Sequence, residues 1–127
     1  MLNNCHLSRL IAEQARKYGE RTALSYRDYD LNKWMPISWN RFAMRVRQVS
    51  RALLKLGVGV QENIAVFSQN KPESLYGDFG AYGIRVVTIP FYATSSGAQG
   101  TYMLNDAEVR FLIVGEQLQY DTQVHGI

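Results

Sequence analysis

A loop of four small polar residues, Thr94-Ser95-Ser96-Gly97, is the segment best suited to holding a phosphate. It follows an apolar run that ends at Ile89-Pro90 and precedes residues with helical spacing, and helix N-termini bind anions through free backbone N–H groups. However, no lysine follows at the spacing of a P-loop. An N-cap from Ser95 or Ser96 explains the same residues. We therefore expect this loop to cap a helix.

A second polar run, Asn70-Lys71-Pro72-Glu73, comes directly after the first strongly apolar segment. If that segment is a parallel strand, the run lies at the carboxyl end of a sheet, where α/β proteins bind ligands. The same residues also suit a helix start, because Asn70 can cap it, Pro72 fits its first turn, and Glu73 lies near the positive end of the helix dipole. We favour this structural role.

Three glycines, Gly77, Gly80 and Gly83, recur at every third position of a predicted helix. The dinucleotide-binding fingerprint has a different spacing and stands directly after a strand. Because glycine has no Cβ atom, these residues allow another element to come close. We expect them to permit contact between helix and sheet, and not to bind a ligand.

The thiol and imidazole groups lie near the ends of the sequence, as Cys5, His6 and His125. Sequence neighbours such as Cys5 and His6 rarely share catalytic geometry, and three such widely separated groups do not predict a metal site. One cysteine also excludes an intrachain disulfide. We predict no catalytic, cofactor-binding or metal-binding residue in the chain.

The clearest element is an amphipathic helix over 39–56, for which Ser38 is a suitable N-cap and Gly57 or Gly59 a suitable stop. Its apolar arc contains Trp39, Phe42, Ala43, Val46, Val49, Leu53 and Leu56. Its opposite arc contains five cations, Arg41, Arg45, Arg47, Arg51 and Lys55. No acid lies between Trp39 and Gln61. The ordinary interpretation of these cations is a solvated helix face, and the alternative is that they attract phospholipid headgroups or an acidic partner.

The other predicted helices and strands determine where these candidate residues lie in the fold. Helical spacing over 7–18, with Ser8 as cap and Gly19 after the end, predicts a first helix. Strands over 22–28 and 34–38 then form a hairpin, in which Pro36 requires an edge. Three short runs that do not alternate suit strands buried on both faces of a parallel sheet: Ile64–Phe67, Val86–Ile89 and Phe111–Val114.

The intervals between these runs supply helical crossovers over 71–82 and 96–104, and another helix begins within 116–123. The predicted fold class is α/β: an N-terminal helix and β-hairpin, a long amphipathic helix, then β-α-β units with a short, mainly parallel sheet. The last crossover is unfinished. We therefore expect residues 1–127 to be an N-terminal fragment of a larger domain, with no second domain present.

The overall composition disfavours nucleic acid as a partner. The chain has 127 residues, 46% hydrophobic and 20% charged, with a net charge of +3. Lys and Arg are not clustered as densely in this sequence as in nucleic-acid-binding proteins. No apolar run reaches the length of a membrane span, and the start does not resemble a secretory signal. We expect a cytoplasmic protein, with peripheral association at the inner membrane surface left open.

The order of segments resembles the N-terminal region of the AMP-forming acyl-CoA synthetases, particularly the long-chain fatty-acid–CoA ligases. The most specific part is Pro90-Phe91-Tyr92-Ala93-Thr94-Ser95 followed by Tyr102-Met103-Leu104-Asn105-Asp106. Earlier segments in the same order include Thr22–Tyr26, Ile37-Ser38-Trp39 and Asn63–Val66. The resemblance covers about residues 7–121.

The resemblance implies a parent enzyme that uses ATP and magnesium to convert a fatty acid into an acyl-adenylate, and then transfers the acyl group to coenzyme A. The family's phosphate-binding loop, its adenine and ribose contacts and its catalytic lysine come later than this region, so no catalytic residue carries over. The predicted sheet edge offers only Lys71 and Arg85 to a triphosphate. We expect the chain alone to be inactive and structural, with the rest of the parent polypeptide as its partner.

Two other functions stay open at this stage. One is a stand-alone α/β module that binds a nucleotide or an acyl ligand without catalysis. The other is an interaction module that uses the basic face of helix 39–56. The sequence does not decide acyl chain length or whether the protein forms a homodimer.

Overall fold

The computed structural model describes residues 6–124, without the side chains at positions 122 and 123. Cys5 and His125 lie outside the described residues. Within the described part, no helix combines the length and the apolar character that crossing a bilayer requires.

The first helix, α1, spans Leu7–Tyr18 and buries Ile11 and Ala15. Its N-cap is His6, which makes no capping hydrogen bond through its side chain. The predicted cap at Ser8 is therefore wrong, because Ser8 already lies inside the first turn. Gly19 ends the helix as predicted, at a φ of 53° that glycine adopts without a Cβ clash.

A β-hairpin follows, with β1 at Thr22–Asp28 and β2 at Lys33–Ser38. The strands pair antiparallel and form a separate two-stranded sheet, so both strands are edges and Pro36 is tolerated opposite Ser25. In the turn between them, the Leu31 amide donates to the Asp28 carboxylate at 2.9 Å. The predicted hairpin is confirmed.

Helix α2 spans Trp39–Lys55, and Ser38 caps it by accepting a hydrogen bond from the Arg41 amide at 3.2 Å. Gly57, with φ of 82°, follows its end. The predicted apolar arc is confirmed except at Leu56, which is 59% exposed because the chain turns away after Lys55. All five predicted cations are exposed, as listed here: Arg41, Arg45, Arg47, Arg51 and Lys55.

The second sheet is parallel, as predicted, and has the order β4-β3-β5. Its strands are β3 at Asn63–Phe67, β4 at Val87–Phe91 and β5 at Val109–Val114. The prediction of burial on both faces holds for β3 and is wrong for β4 and β5. Those two are the sheet's edges here, and Val87 for example is 40% exposed.

The crossovers are α3 at Pro72–Gly83 and α4 at Gly97–Asp106. The predicted last helix begins as α5 at Gln117–Gln119 and continues as a π-helical segment over Tyr120–Val124. These elements cover both faces of β3. Ile64 packs in one cluster with Ala81 of α3, whereas Ala65 and Phe67 pack with residues of α4.

The three glycines of α3 have two different partners. A Cβ atom at Gly77 would lie 3.5 Å from Ile113 and 3.6 Å from Val66 of the sheet, which is ordinary contact. A Cβ atom at Gly80 would lie 2.7 Å from Val49 Cγ1 of α2, and one at Gly83 would lie 3.1 Å from Ser50 Oγ. Contact with the sheet is thus confirmed for Gly77, but Gly80 and Gly83 face α2.

Substituting Gly80 by Ala tests this contact. We expect Gly80→Ala to destabilise the chain by about 1–3 kcal/mol, because a methyl group there forces α2 and α3 apart. Gly77→Ala is the matched control in the same helix. Its methyl group has room, and alanine favours the helix, so we expect a change within about 1 kcal/mol in either direction. Urea unfolding followed by circular dichroism measures both, and equal losses would contradict the assignment.

Candidate functional site

The carboxyl edge of the parallel sheet is where a ligand is expected in an α/β fold. Three loops meet there, at 68–71, 92–96 and 115–116, after β3, β4 and β5 respectively. The chain leaves β3 toward β4 on one side and later returns to β5 on the other. The loops after β3 and β5 therefore flank the position at which connections diverge, which is the usual ligand crevice.

This crevice is closed by the backbone. The Gly115 amide donates to the Phe67 carbonyl at 2.9 Å, which extends the β3–β5 pairing past the strand ends. A Cβ atom on Gly115 would overlap Ser68 Oγ and lie 3.0 Å from Ser68 Cα. Residues 68 and 115 are thus in direct contact, which leaves no space between them for a phosphate group.

Lys71 lies beside this contact and forms an ion pair with Glu116. The pair links the loop after β3 to the loop after β5, and each side chain is about one-third exposed. The Lys71 ammonium is therefore already neutralised by a carboxylate. A triphosphate would have to displace Glu116 and overcome its repulsion, so the pair opposes anion binding at this edge.

The start of α3 differs from its predicted cap. Lys71, and not Asn70, is the N-cap, and its side chain makes no capping bond. Instead the Ser74 hydroxyl donates to the Lys71 carbonyl at 2.7 Å. Pro72 occupies the first turn and Glu73 lies in it, both as predicted. The structural interpretation of this run is therefore right, with the cap displaced by one residue.

The Thr94–Gly97 loop also has the predicted structural role. Ser96 caps α4 by accepting from the Gln99 amide at 3.3 Å, while the Gln99 side chain accepts from the Ser96 amide at 3.0 Å. Both groups of this capping box are thus satisfied within the helix start. Ser95 is not the cap; it is buried, and its amide donates to the Tyr92 carbonyl at 2.9 Å.

Arg85, the second cation expected at the sheet edge, lies at the other end of the sheet. It directly precedes β4 in the segment 85–86, and its carbonyl accepts a hydrogen bond from the Gln61 amide at 2.8 Å. Lys71 and Arg85 are therefore not brought together. The expectation that Lys71 and Arg85 lie at one sheet edge is wrong, because strand direction puts residues before β4 at the amino edge.

Two of the clefts at the carboxyl edge adjoin the loop after β3. One, of about 690 Å³, lies between the hairpin and the start of α3, and Tyr26, Tyr29 and Trp34 form its aromatic wall. The other, of about 660 Å³, lies between the loops after β3 and β4 and contains Asp78. Within residues 6–124, no three His, Cys, Asp or Glu side chains lie close enough to hold a metal ion.

Asp78 is the titratable group that sequence reasoning missed. Partial burial raises its pKa, and a hydrogen bond from Thr88 partly offsets that rise. The sequence did contain a signal for Asp78, since it is the charged residue in the interior of a predicted helix whose other interior residues are mostly apolar or small. Gly115 and Glu116 were also missed, although a glycine directly after a buried strand often marks close backbone approach.

Replacing Asp78 by Asn tests the effect of its burial. At neutral pH the folded state holds a partly desolvated carboxylate, so we expect Asp78→Asn to be more stable than the wild type. The difference should shrink as pH falls through the raised pKa of Asp78 and vanish below the ordinary pKa of aspartate. Thermal unfolding across pH measures this, with exposed Asp30→Asn as the control. A difference that does not change with pH would contradict it.

Comparisons with a family model and with curated proteins find the same group of enzymes. The family described as "AMP-binding enzyme" matches residues 11–126. Long-chain-fatty-acid–CoA ligase ACSBG1 of Rattus norvegicus is 28% identical over 109 residues, which are 86% of this chain and 15% of that protein. Fatty acyl-CoA synthetase A of Dictyostelium discoideum is 31% identical over 81 residues, which are 64% of this chain and 12% of that protein.

Solved structures share the fold. The N-terminal domain of FACL13 from Mycobacterium tuberculosis aligns with a TM-score of 0.79 and 16% identity, covering 91% of this chain and 29% of that one. An artificially fused NpsA-ThdA adenylation–PCP di-domain from Klebsiella oxytoca aligns with a TM-score of 0.78 and 18% identity, covering 90% and 20%. The chain spans about 15% of the length of the curated ligases it matches most extensively.

Proposed function

Because the chain belongs to the AMP-binding enzyme family, we propose that it is the opening α/β layer of an ATP-dependent long-chain fatty-acid–CoA ligase. The family match covers 11–126, and several relatives bear the name of long-chain fatty-acid–CoA ligases. In this proposal the chain has a structural role in the parent protein: it supports the substrate cleft without contributing a catalytic group.

The contact between Ser68 and Gly115, which closes the position between β3 and β5, carries this proposal. At the position where an α/β sheet ordinarily binds phosphates, Gly115 lies against Ser68 and Glu116 neutralises Lys71. Binding a triphosphate needs converging cations, a nest of free N–H groups or a metal site. The described residues place one paired cation there. They do not fit ATP with magnesium or the phosphates of coenzyme A, so these groups would be held by other parts of the parent.

The proposed parent reaction proceeds in two steps. A fatty-acid carboxylate oxygen attacks the α-phosphorus of ATP, which forms an acyl-adenylate and releases pyrophosphate. The thiol of coenzyme A then attacks the acyl carbon, which forms the thioester and releases AMP and the thiol proton. No residue of this chain is assigned to either step. Its contribution is to hold the three-stranded sheet and the helices α2 and α3 in fixed positions.

Pyrophosphate release is the direct test. We expect the full-length parent to release pyrophosphate in a fatty-acid-dependent manner, and residues 1–127 alone to release none. Adding ATP or a fatty acyl-CoA to the chain alone should leave its melting temperature unchanged. Turnover by the chain would contradict the structural role. A ligand-dependent rise in melting temperature without turnover would instead identify a stand-alone binding module.

A substitution in the full-length parent tests whether Lys71 is paired with Glu116 or holds a phosphate. We expect Lys71→Met to change the KM for ATP by less than about twofold, because its charge is already paired with Glu116. If Lys71 held a phosphate, losing that charged hydrogen bond would cost about 1.5–3 kcal/mol and raise KM more than about tenfold. Arg85→Gln, at the amino edge, makes the same charge change and is the matched control.

A further inference from the structure

The solvent side of α2 is a cationic surface, which we call the α2 cationic face. It contains five side chains, all exposed: Arg41, Arg45, Arg47, Arg51 and Lys55. Asp and Glu are absent from the sequence between Trp39 and Gln61, so the helix carries positive charge alone. A solvated surface helix ordinarily mixes both signs, which is why this face calls for a physical explanation.

Among the described residues, these cations form no ion pair with an acidic side chain. The ion pairs among the described residues join Lys71 to Glu116 and Arg110 to Glu62, and neither involves α2. The α2 cation with a side-chain hydrogen bond, Arg45, donates to neutral Gln48 at 3.1 Å. Pairs of like charge also stand four residues apart, as Arg47–Arg51 and Arg51–Lys55 do, and such pairs repel. An external anion would relieve that repulsion.

Apolar side chains lie among these charges. Met44 is 40% exposed and Leu54 is 55% exposed, and both share the arc of Arg47 and Arg51 at spacings of three or seven residues. Leu7 of α1, which is 59% exposed, lines with Arg47 and Arg51 a groove of about 310 Å³ between the helices. On such a surface the long cationic side chains can contact lipid phosphates while the aliphatic groups contact the outermost acyl carbons.

The opposite face of α2 limits how deeply the helix could enter a bilayer. Phe42, Ala43 and Leu53 are buried in the protein's own core, at 4–7% exposure. They cannot turn toward lipid without unfolding the layer. The exposed arc can therefore reach headgroups and the outermost acyl carbons only, while long arginine and lysine side chains extend around the aliphatic groups.

We infer that the α2 cationic face docks the protein peripherally on membranes that contain anionic phospholipids. The row Arg47, Arg51 and Lys55 presents one exposed cation per helical turn along one side of α2, which is complementary to the phosphates of an anionic membrane. The inference rests on this surface and does not depend on the proposed ligase function.

Vesicle co-sedimentation of the 127-residue chain tests the inference. We expect binding to phosphatidylcholine vesicles that contain phosphatidylglycerol, and little binding to phosphatidylcholine alone. Binding should weaken as salt is raised about tenfold, because screening shortens the reach of the charges. The triple variant R47Q/R51Q/K55Q should bind about 100-fold more weakly at low salt, since each cation near an anionic surface contributes about fivefold.

A matched control separates this face from net charge. The triple variant R27Q/K33Q/R85Q removes three cations elsewhere and should lose at most about fivefold. The variant R47K/R51K keeps the charge and should bind like the wild type, and far-ultraviolet circular dichroism checks that each variant folds. Equal losses in both glutamine variants, absent binding at low salt, or equal binding to neutral vesicles would overturn the inference. Binding to poly-glutamate but not to vesicles would overturn it in favour of an acidic protein partner.

Discussion

The backbone of α3 comes into direct contact with α2 at Gly80, and this contact joins the two halves of the chain. The Ser50 hydroxyl of α2 donates to the Gly80 carbonyl at 2.6 Å, and Val49 occupies the space where a side chain would otherwise lie. On one side of the contact are α1 and the hairpin, whose buried residues share a cluster with Phe42 of α2. On the other is the sheet that α3 covers. The position of the sheet relative to the first 55 residues therefore depends on how closely these helices approach.

Once α3 is fixed in this way, the sheet edge beneath its N-terminus is determined too. Helix α3 begins at Pro72, directly after the loop that follows β3, and Lys71 of that loop reaches Glu116 after β5. The tight contact of Gly115 with Ser68 holds the same two loops together. Close packing of backbone thus recurs at both ends of the β3–α3 unit, and it favours a rigid support over a ligand crevice. This is the physical basis for assigning the chain a structural role.

Most of the fold follows from patterns that the sequence shows directly. Hydrophobic periodicity predicts α1 and α2, and short β-branched runs predict the three parallel strands, because both signals reflect burial of a local segment. The wrong predictions concern contacts between elements, which a pattern along the sequence does not identify. The spacing of the α3 glycines predicts that they share one face and one partner, yet Gly77 contacts the sheet and Gly80 contacts α2. The angle at which two helices cross, which decides these contacts, is a property of the assembled layers. The caps at Ser8 and Asn70 were misplaced by one or two residues for a related reason. Several adjacent polar side chains can begin a helix, and tertiary contacts decide among them.

Site prediction from sequence succeeded at residues whose role is local and failed at residues whose role depends on strand order. The capping function of Ser96 involves Gln99, three residues away, so a motif suffices to predict it. The neutralisation of Lys71 involves Glu116, which is distant in sequence and becomes a neighbour only because β5 pairs with β3. Arg85 was assigned to the wrong edge although the predicted strand, like the observed β4, begins after it, so strand direction puts Arg85 at the amino edge. The α2 cationic face lies between these cases. Its five charges are evident from periodicity, but only the fold shows that they form no ion pair with the acids of residues 6–124. Since the core uses the other side of the same helix, these charges face away from the described part of the chain.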